Sequence, residues 1–512
     1  MNFPVWDVSF GGGLLIAIVS ITHVFVSHFA VGGGLFLVLT EKKARRSNDQ
    51  ALLDWLKKHT KFFVLVTVVF GAISGVGIWV TISLVHPAAT SALIHTYVWG
   101  WATEWVFFFL EITAALMYLY GWEKLNDKTH LWFGWIYFIA AFMSMVIING
   151  IITFMITSGN WPETHNFWDG FFNPTYFPSL AIRFVFSLAL AGIYALITGS
   201  LIKEQELKAR VVRWSTYWII PTFIVLPFIG MWYIQNLPVG VWQDVAGRTP
   251  TPTRYYEFIK IFGVITFILA FFPLLKPRKT HFSYVLLIVL SAYITMWSFE
   301  FIRESLRKPY VIYGYMYANS VYESGQHSNT EFLAENIEEK GVLQVARWVQ
   351  HRDISPQTEI TVGGEIFRVE CNTCHTVQHY RGLAKFIHQR RWTYDVLYPM
   401  LDAIDLMHNG IMPPFAGTAR ERAALARFLI SKSPKPEPIS TEGKALFNTY
   451  CGTCHLPSIH DRSIAKLRRH SIKSIVHALD SLPKLYIRMP DLKIPQQHRE
   501  ILAQWIKTIS AN

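Results

Sequence analysis

Eight apolar runs, at residues 13–39, 62–85, 98–121, 131–157, 178–202, 214–236, 256–275 and 282–303, constrain this chain more than any other feature of its sequence. A bilayer core about 30 Å thick is crossed by about 20 residues of α-helix. Inside it only helices and closed barrels satisfy their own backbone hydrogen bonds, and runs this long predict helices. Of the 512 residues 52% are apolar, 15% aromatic and only 16% charged, more apolar side chain than a soluble core holds. Disorder, a collagen-like repeat and a disulfide scaffold are excluded by the same figures and by a total of four cysteines.

The loops set the orientation. Segments 41–61, 123–130, 203–213 and 276–281 carry sixteen Lys and Arg residues. The N-terminus and segments 86–97, 159–177 and 237–255 carry two, Arg248 and Arg254. The positive-inside rule makes the first set cytoplasmic. Eight crossings then return the chain to the outer side, so residues from about 305 onward lie outside the cytoplasm. The first run is too long for a signal-peptide core and has no basic region before it, so it reads as a retained span. The net charge of +12 is thus a topology signal and implies no nucleic-acid partner.

Beyond residue 305 polar residues return, and two stretches repeat about 80 residues apart. They read Gly363-x-x-x-Phe367-x-x-x-Cys371-Asn-Thr-Cys374-His375 and Gly443-x-x-x-Phe447-x-x-x-Cys451-Gly-Thr-Cys454-His455. All four cysteines fall in these two CxxCH motifs. The pattern is that of covalent haem c, with two thioethers to the porphyrin and the adjacent His on the iron. A redox dithiol or a zinc site explains neither histidine. Met412 and Met489, 37 and 34 residues after the respective His and each followed by Pro, supply a distal thioether. Met407 competes in the first repeat, and amphipathic helices are expected at 418–431 and 495–509.

Ionisable residues inside apolar spans are costly and mark sites. Here they are His23 and His28 in the first span, Glu104 and Glu111 in the third, Arg183 in the fifth, Lys260 in the seventh, and Glu300, Arg303 and Glu304 in the eighth. Counted at ~1.5 Å per residue, His23, Glu104 and Glu304 share the outer half of the membrane. Glu104 and Glu111 are two helical turns apart on one face. His28, some 140° round the helix from His23, reads as a hydrogen-bonded packing residue. Arg183 and Lys260 are candidates for haem propionates or backbone carbonyls, and His86, His95 and His165 are expected to be solvated.

The segment Thr103-Glu104-Trp-Val-Phe-Phe-Phe-Leu110-Glu111, continuing to Gly121-Trp122-Glu-Lys-Leu125, resembles the third span of the haem-bearing subunit I of cytochrome bd oxidases. Thr22-His23-Val-Phe-Val, Ile148-Asn149-Gly150 and Glu304-Ser-Leu-Arg307-Lys-Pro309-Tyr310 resemble further motifs of that subunit, in order, over residues of about 5–315. The resemblance implies that His23 and Glu104 lie at the oxygen-reducing high-spin haem. It implies too that Glu304 binds a neighbouring high-spin b haem with Arg307 beside it, and that Glu111 belongs to a proton path. Three departures stand out. The positions of the family's low-spin haem ligands are Phe186 and Phe262, the quinol-side outer loop is reduced to 237–255, and the spacing of Glu104 and Glu111 is one residue shorter.

The expected fold is all-α: a polytopic membrane protein of eight helices in two four-helix bundles, followed by two small helical cytochrome c domains. The boundaries expected are 1–310 for the bd-like membrane domain, 311–355 for a connecting segment, and 356–435 and 436–512 for the cytochrome domains. Cofactors are two covalent haem c groups, held by Cys371, Cys374, His375 and Met412 and by Cys451, Cys454, His455 and Met489, with one or two non-covalent haems of b or d type. The partners are the lipid bilayer, extracytoplasmic c-type cytochromes and, as an open category, other membrane subunits of a respiratory complex. The setting is the inner membrane of a prokaryote with the tail on the periplasmic side. The function is exchange of electrons between extracytoplasmic c haems and a high-spin haem site near the outer membrane face, with the direction of flow and the choice of oxygen as acceptor left open by the sequence. Two alternatives stay open: a quinol-to-cytochrome c conduit and a membrane-anchored dihaem carrier.

Overall fold

A computed structural model describes residues 5–238, 241, 250–323, 334–346, 348–434, 441–455, 461–485 and 489–509. Arg248 and most of the shortened segment 237–255 lie outside the described residues. Eight helices are long and apolar enough to cross a membrane: α1 (Gly12–Arg46), α2 (Gln50–Val85), α3 (Val98–Gly121), α4 (Asp127–Phe154), α5 (Tyr176–Ser200), α6 (Gln205–Gln235), α7 (Pro252–Leu275) and α8 (Phe282–Leu306). They coincide with the eight apolar runs. Several overshoot them at charged ends, as α1 does through Lys43, Arg45 and Arg46, because a helix continues past the bilayer wherever its polar turn is solvated. Side-chain caps fix two of the starts. Asp49 accepts from the Leu52 amide ahead of α2, and Asn126 from the Thr129 amide ahead of α4.

The chain divides into two compact units. The first to be described holds Ile16–Ser83 and Thr90–Arg307. Its core draws on every membrane helix, with Phe29, Phe36, Leu56 and Leu190 almost fully enclosed. Phe29 stacks on Tyr194, at 3.9 Å between ring centroids and 8° between planes, joining α1 to α5. Helix α5 is the most enclosed of the eight, whereas α3 and α7 leave most of their surface open. Within α2, residues Leu65–Phe70 form a π-helical turn, a feature that recurs where a helix must present a functional residue out of α register.

The second unit holds Met1–Leu15, Leu84–Ala89 and Lys308–Asn512. Trp6 donates its amide to the Leu84 carbonyl at 2.7 Å. The aromatic stretch after residue 309 is an antiparallel hairpin of β1 (Tyr310–Ile312) and β2 (Met316–Tyr317), with the Tyr310 and Tyr317 rings stacked 4.7 Å apart. Both CxxCH repeats are helical, and the helices that close them are α10 (Ala419–Lys432) and α12 (Gln496–Thr508), near the expected limits. One apolar core runs through both repeats, from Val362 and Ile366 to Leu502 and Ile506. Arg390 of the first repeat donates to the Asn448 carbonyl of the second at 2.6 Å, and Trp392 to the Thr449 carbonyl at 2.8 Å.

Candidate haem sites

In the membrane unit the π-turn is followed by Ser74 and Gly75, which face His23. The Ser74 hydroxyl donates to the Phe70 carbonyl at 2.8 Å, so its oxygen accepts from His23 Nδ1 at 3.0 Å. That leaves the lone pair on Nε2, the tautomer a metal-ligating histidine adopts when its other nitrogen is held by a second group. A Cβ at Gly75 would stand 3.1 Å from His23 Cε1, so a larger residue would crowd the ring. His23 is half-buried within the bundle, and its Nε2 is the atom that would hold a membrane haem.

Helix α3 presents Glu104 and Glu111, both half-buried. Ser144 of α4 donates to Glu104 Oε1 at 2.8 Å, and the Tyr137 hydroxyl stands 3.1 Å from Glu111 Oε1. Beside Tyr137 lies a cavity of about 10 Å³ lined also by Tyr118, Gly34 and Gly134, enough for one water. Tyr118 donates to the fully buried Glu41 at 2.6 Å, and Glu41 takes a second bond from His130 at 2.8 Å. Polar groups thus run from Glu111 toward the basic end of α1. Sequence reading missed Glu41 and His130, which stand at helix ends assigned to loops.

At the end of α8 the Arg307 guanidinium donates to both oxygens of Glu304. One turn earlier, Glu300 is buried between Arg303, at 2.8 Å, and Arg183 of α5, at 2.9 Å. Arg183 therefore pairs with a carboxylate of its own chain, and so does Lys260, which meets Glu257 at 2.7 Å. His28 is 4% exposed and donates to the Val24 carbonyl at 2.8 Å, a packing residue as expected. Phe186 is buried in the core against Phe223, and Phe262 is half-buried on α7.

In the second unit the two CxxCH turns share one backbone pattern. Cys371 and Cys451 cap the helices α9 (Glu359–Glu370) and α11 (Gly443–Tyr450), donating their amides to the carbonyls of Phe367 and Phe447. His375 and His455 each close a bond back to the first cysteine carbonyl at 2.9 Å. All four cysteines and both histidines are half-exposed, and between the cysteines Asn372 and Thr453 are buried. Burial pushes the Cys371 thiol well above the usual range, Cys451 up to about 12 and Cys454 up to about 11, the opposite of a redox dithiol. None of the four is in a disulfide. Among the described residues no three or more His, Cys, Asp or Glu converge as a zinc site would. Met412 and Met489 are half-buried, whereas Met407 is 3% exposed in the core.

Comparison with known proteins agrees with this division. Residues 14–239 match the family model of cytochrome bd terminal oxidase subunit I. The membrane segment is bd oxidase-like. Residues 358–429, the first CxxCH repeat, match the model described as cytochrome C oxidase, cbb3-type, subunit III. The solved structure of bd oxidase from Geobacillus thermodenitrificans superposes with a TM-score of 0.52 at 16% identity, covering 60% of this chain and 89% of that one, a likeness of fold. No curated protein sequence matches. A bd oxidase-like membrane segment joined to a cytochrome c segment is the make-up of a respiratory haem oxidoreductase.

One expectation is corrected. His86 is not solvated: it is 8% exposed, and its Nε2 bonds the Ala318 carbonyl at 3.0 Å. A histidine flanked by apolar runs carries no sequence mark of such a partner, more than 200 residues away. His95 and His165 are exposed.

Proposed function

We propose that the chain passes electrons between extracytoplasmic c-type cytochromes, its own two c haems and a high-spin haem site in the membrane unit, with oxygen as the terminal acceptor. The observation that carries this reading is the pairing of two CxxCH turns with a bd-like segment, in which Phe186 and Phe262 stand where the resemblance puts the family's low-spin haem ligands. Donors for the usual quinol route are replaced by covalent carriers within the same chain. The membrane haems would be one or two, of b or d type, and other membrane subunits would complete the complex. The tail would lie on the periplasmic side of a prokaryotic inner membrane.

In this reading His23 holds one haem through Nε2, with Ser74 fixing the ring, and Glu104 faces the same site. Glu304 with Arg307 serves the second. When bound, the haem supplies the iron that binds and reduces oxygen. Reduction of oxygen to water consumes protons as well as electrons, and Glu111 with the Tyr137 hydroxyl is placed to pass them. His375 with Met412 and His455 with Met489 would hold the c haems, a His and Met ligand set suited to electron transfer. Domain limits at 310, 355 and 435 complete the proposal.

Two turnover assays test it: reduced cytochrome c with oxygen, and quinol with oxidised cytochrome c. Oxygen uptake in the first supports the proposal. Activity confined to the second makes the chain a quinol-to-cytochrome c conduit, and activity in neither makes it an anchored dihaem carrier.

A further inference from the structure

The two CxxCH turns match bond for bond as far as each histidine, and differ in what the sixth residue beyond it offers that histidine. His375 Nδ1 donates to the backbone carbonyl of Arg381 at 3.1 Å. His455 Nδ1 donates to the side-chain Oδ2 of Asp461, also at 3.1 Å. Offset and distance are the same, but the acceptor is neutral in one repeat and a carboxylate in the other. Asp461 is itself fixed, because its Oδ1 caps the helix Arg462–Arg469 by accepting from the amides of Ser463 and Ile464 at 2.9 and 3.3 Å. Its side chain is 14% exposed, so water screens the pair only in part.

A hydrogen bond from Nδ1 to a carboxylate increases the electron donation of the imidazole through Nε2, and a more basic ligand favours the ferric over the ferrous iron. We infer that Asp461 is a positioning residue that holds the second c haem at a lower potential than the first, so that electrons enter at the Cys451–His455 turn and leave through the Cys371–His375 turn. This rests on the haem c reading given above and adds a direction to it. The step is a one-electron transfer. A reduced extracytoplasmic c-type cytochrome is oxidised, the second haem iron goes from ferric to ferrous, and it is reoxidised as the first is reduced; no bond is made or broken. The two repeats share one core and are bridged by Arg390 and Trp392, so the transfer lies within one packed body.

The test is a redox titration of the full-length protein with the two c haems followed separately. In wild type the second haem is expected to be the later to reduce as the potential falls. The difference spectrum of Cys451→Ala/Cys454→Ala assigns the two transitions without any change at Asp461. Asp461→Asn keeps the shape and removes the charge. At the potential where the wild-type second haem is half reduced, its ferrous-to-ferric ratio should rise about tenfold, ~59 mV for one electron, with the first haem unmoved. An unchanged potential in that variant, or a second haem above the first in wild type, overturns the inference. Pyridine haemochrome analysis keeps the two levels apart. Fewer than two c haems in wild type defeats the haem c reading itself, whereas two c haems with unshifted potentials defeat only the direction. If Asp461→Asn fails to assemble, the wild-type order assigned by the cysteine variant decides alone.

Discussion

His23 shows how much a single side chain depends on its neighbour. Replacing it with Ala should remove one membrane haem and abolish turnover, with both c haems still attached and reducible; haem extraction and the c-type absorbance check this. Ser74→Ala should keep the haem but weaken its retention by about 10- to 100-fold, the range for residues that hydrogen-bond the far nitrogen of a metal-binding histidine. Glu370 behaves differently. It is buried beside Cys371, with Asn319 donating to it at 2.7 Å, and desolvation lifts its carboxyl from the ordinary 4.5 to about 8. The folded state therefore keeps a proton that the unfolded state loses. Stability from this group is present below about pH 4.5 and is lost as the pH rises through about 8, with a slope of at most ~1.4 kcal/mol per pH unit. Glu370→Gln should flatten that slope, read as the thermal midpoint of the c-haem absorbance from pH 5 to 8. The cysteines, His375 and His455 were legible because their types and spacing admit few chemistries. Ser74 and Asp461 were not, since a serine 51 residues from its histidine or an aspartate six beyond one has no pattern of its own.

Thr418 and Glu421 begin α10 as a capping box, which four residues of sequence suffice to suggest. The same carboxylate does a second job that they do not reveal. Its oxygens also accept the amides of Val342 and Leu343, at 3.2 and 2.9 Å, binding the segment before the first repeat to that repeat's last helix. Glu421 is 3% exposed, so Glu421→Gln leaves buried amides facing an amide nitrogen and should cost about 2–3 kcal/mol. A lowered thermal midpoint at the first c haem, with the second less affected, is the expected result. Gly341 lies at φ +91°, where a Cβ would stand 2.6 Å from Glu421 Oε1, so Gly341→Ala should damage the same junction. The membrane helices were legible for a simpler reason: lipid leaves few choices to an apolar run of this length. The π-turn Leu65–Phe70 and the hairpin Tyr310–Tyr317 were not, because both arise from packing rather than periodicity.

At the scale of the whole molecule the cofactor count is the quantity to measure. All four cysteines lie in CxxCH turns, His23 and Glu304 are present, and Phe186 and Phe262 stand where the proposed likeness puts the low-spin ligands. Pyridine haemochrome analysis should therefore give two c haems and, with both the His23 and the Glu304 sites filled, two non-covalent haems per chain. A low-spin b spectrum should be absent, and Phe186→His alone should not create one, since Phe262 offers no second ligand.

The bridge from Arg390 and Trp392 to the turn beneath Cys451 makes the two c-type repeats a single body with one continuous core. Movement of charge between them needs neither diffusion nor a hinge. Its rate after flash reduction should be insensitive to viscosity and to ionic strength. Encounter with a separate carrier, driven by the excess of 26 Lys and Arg over 19 Asp and Glu in residues 305–512, should slow as salt shortens the Debye length from about 30 Å at 0.01 M to about 8 Å at 0.15 M. On the proposed function, salt would act as a valve on the supply of electrons and leave the wire between the two haems untouched.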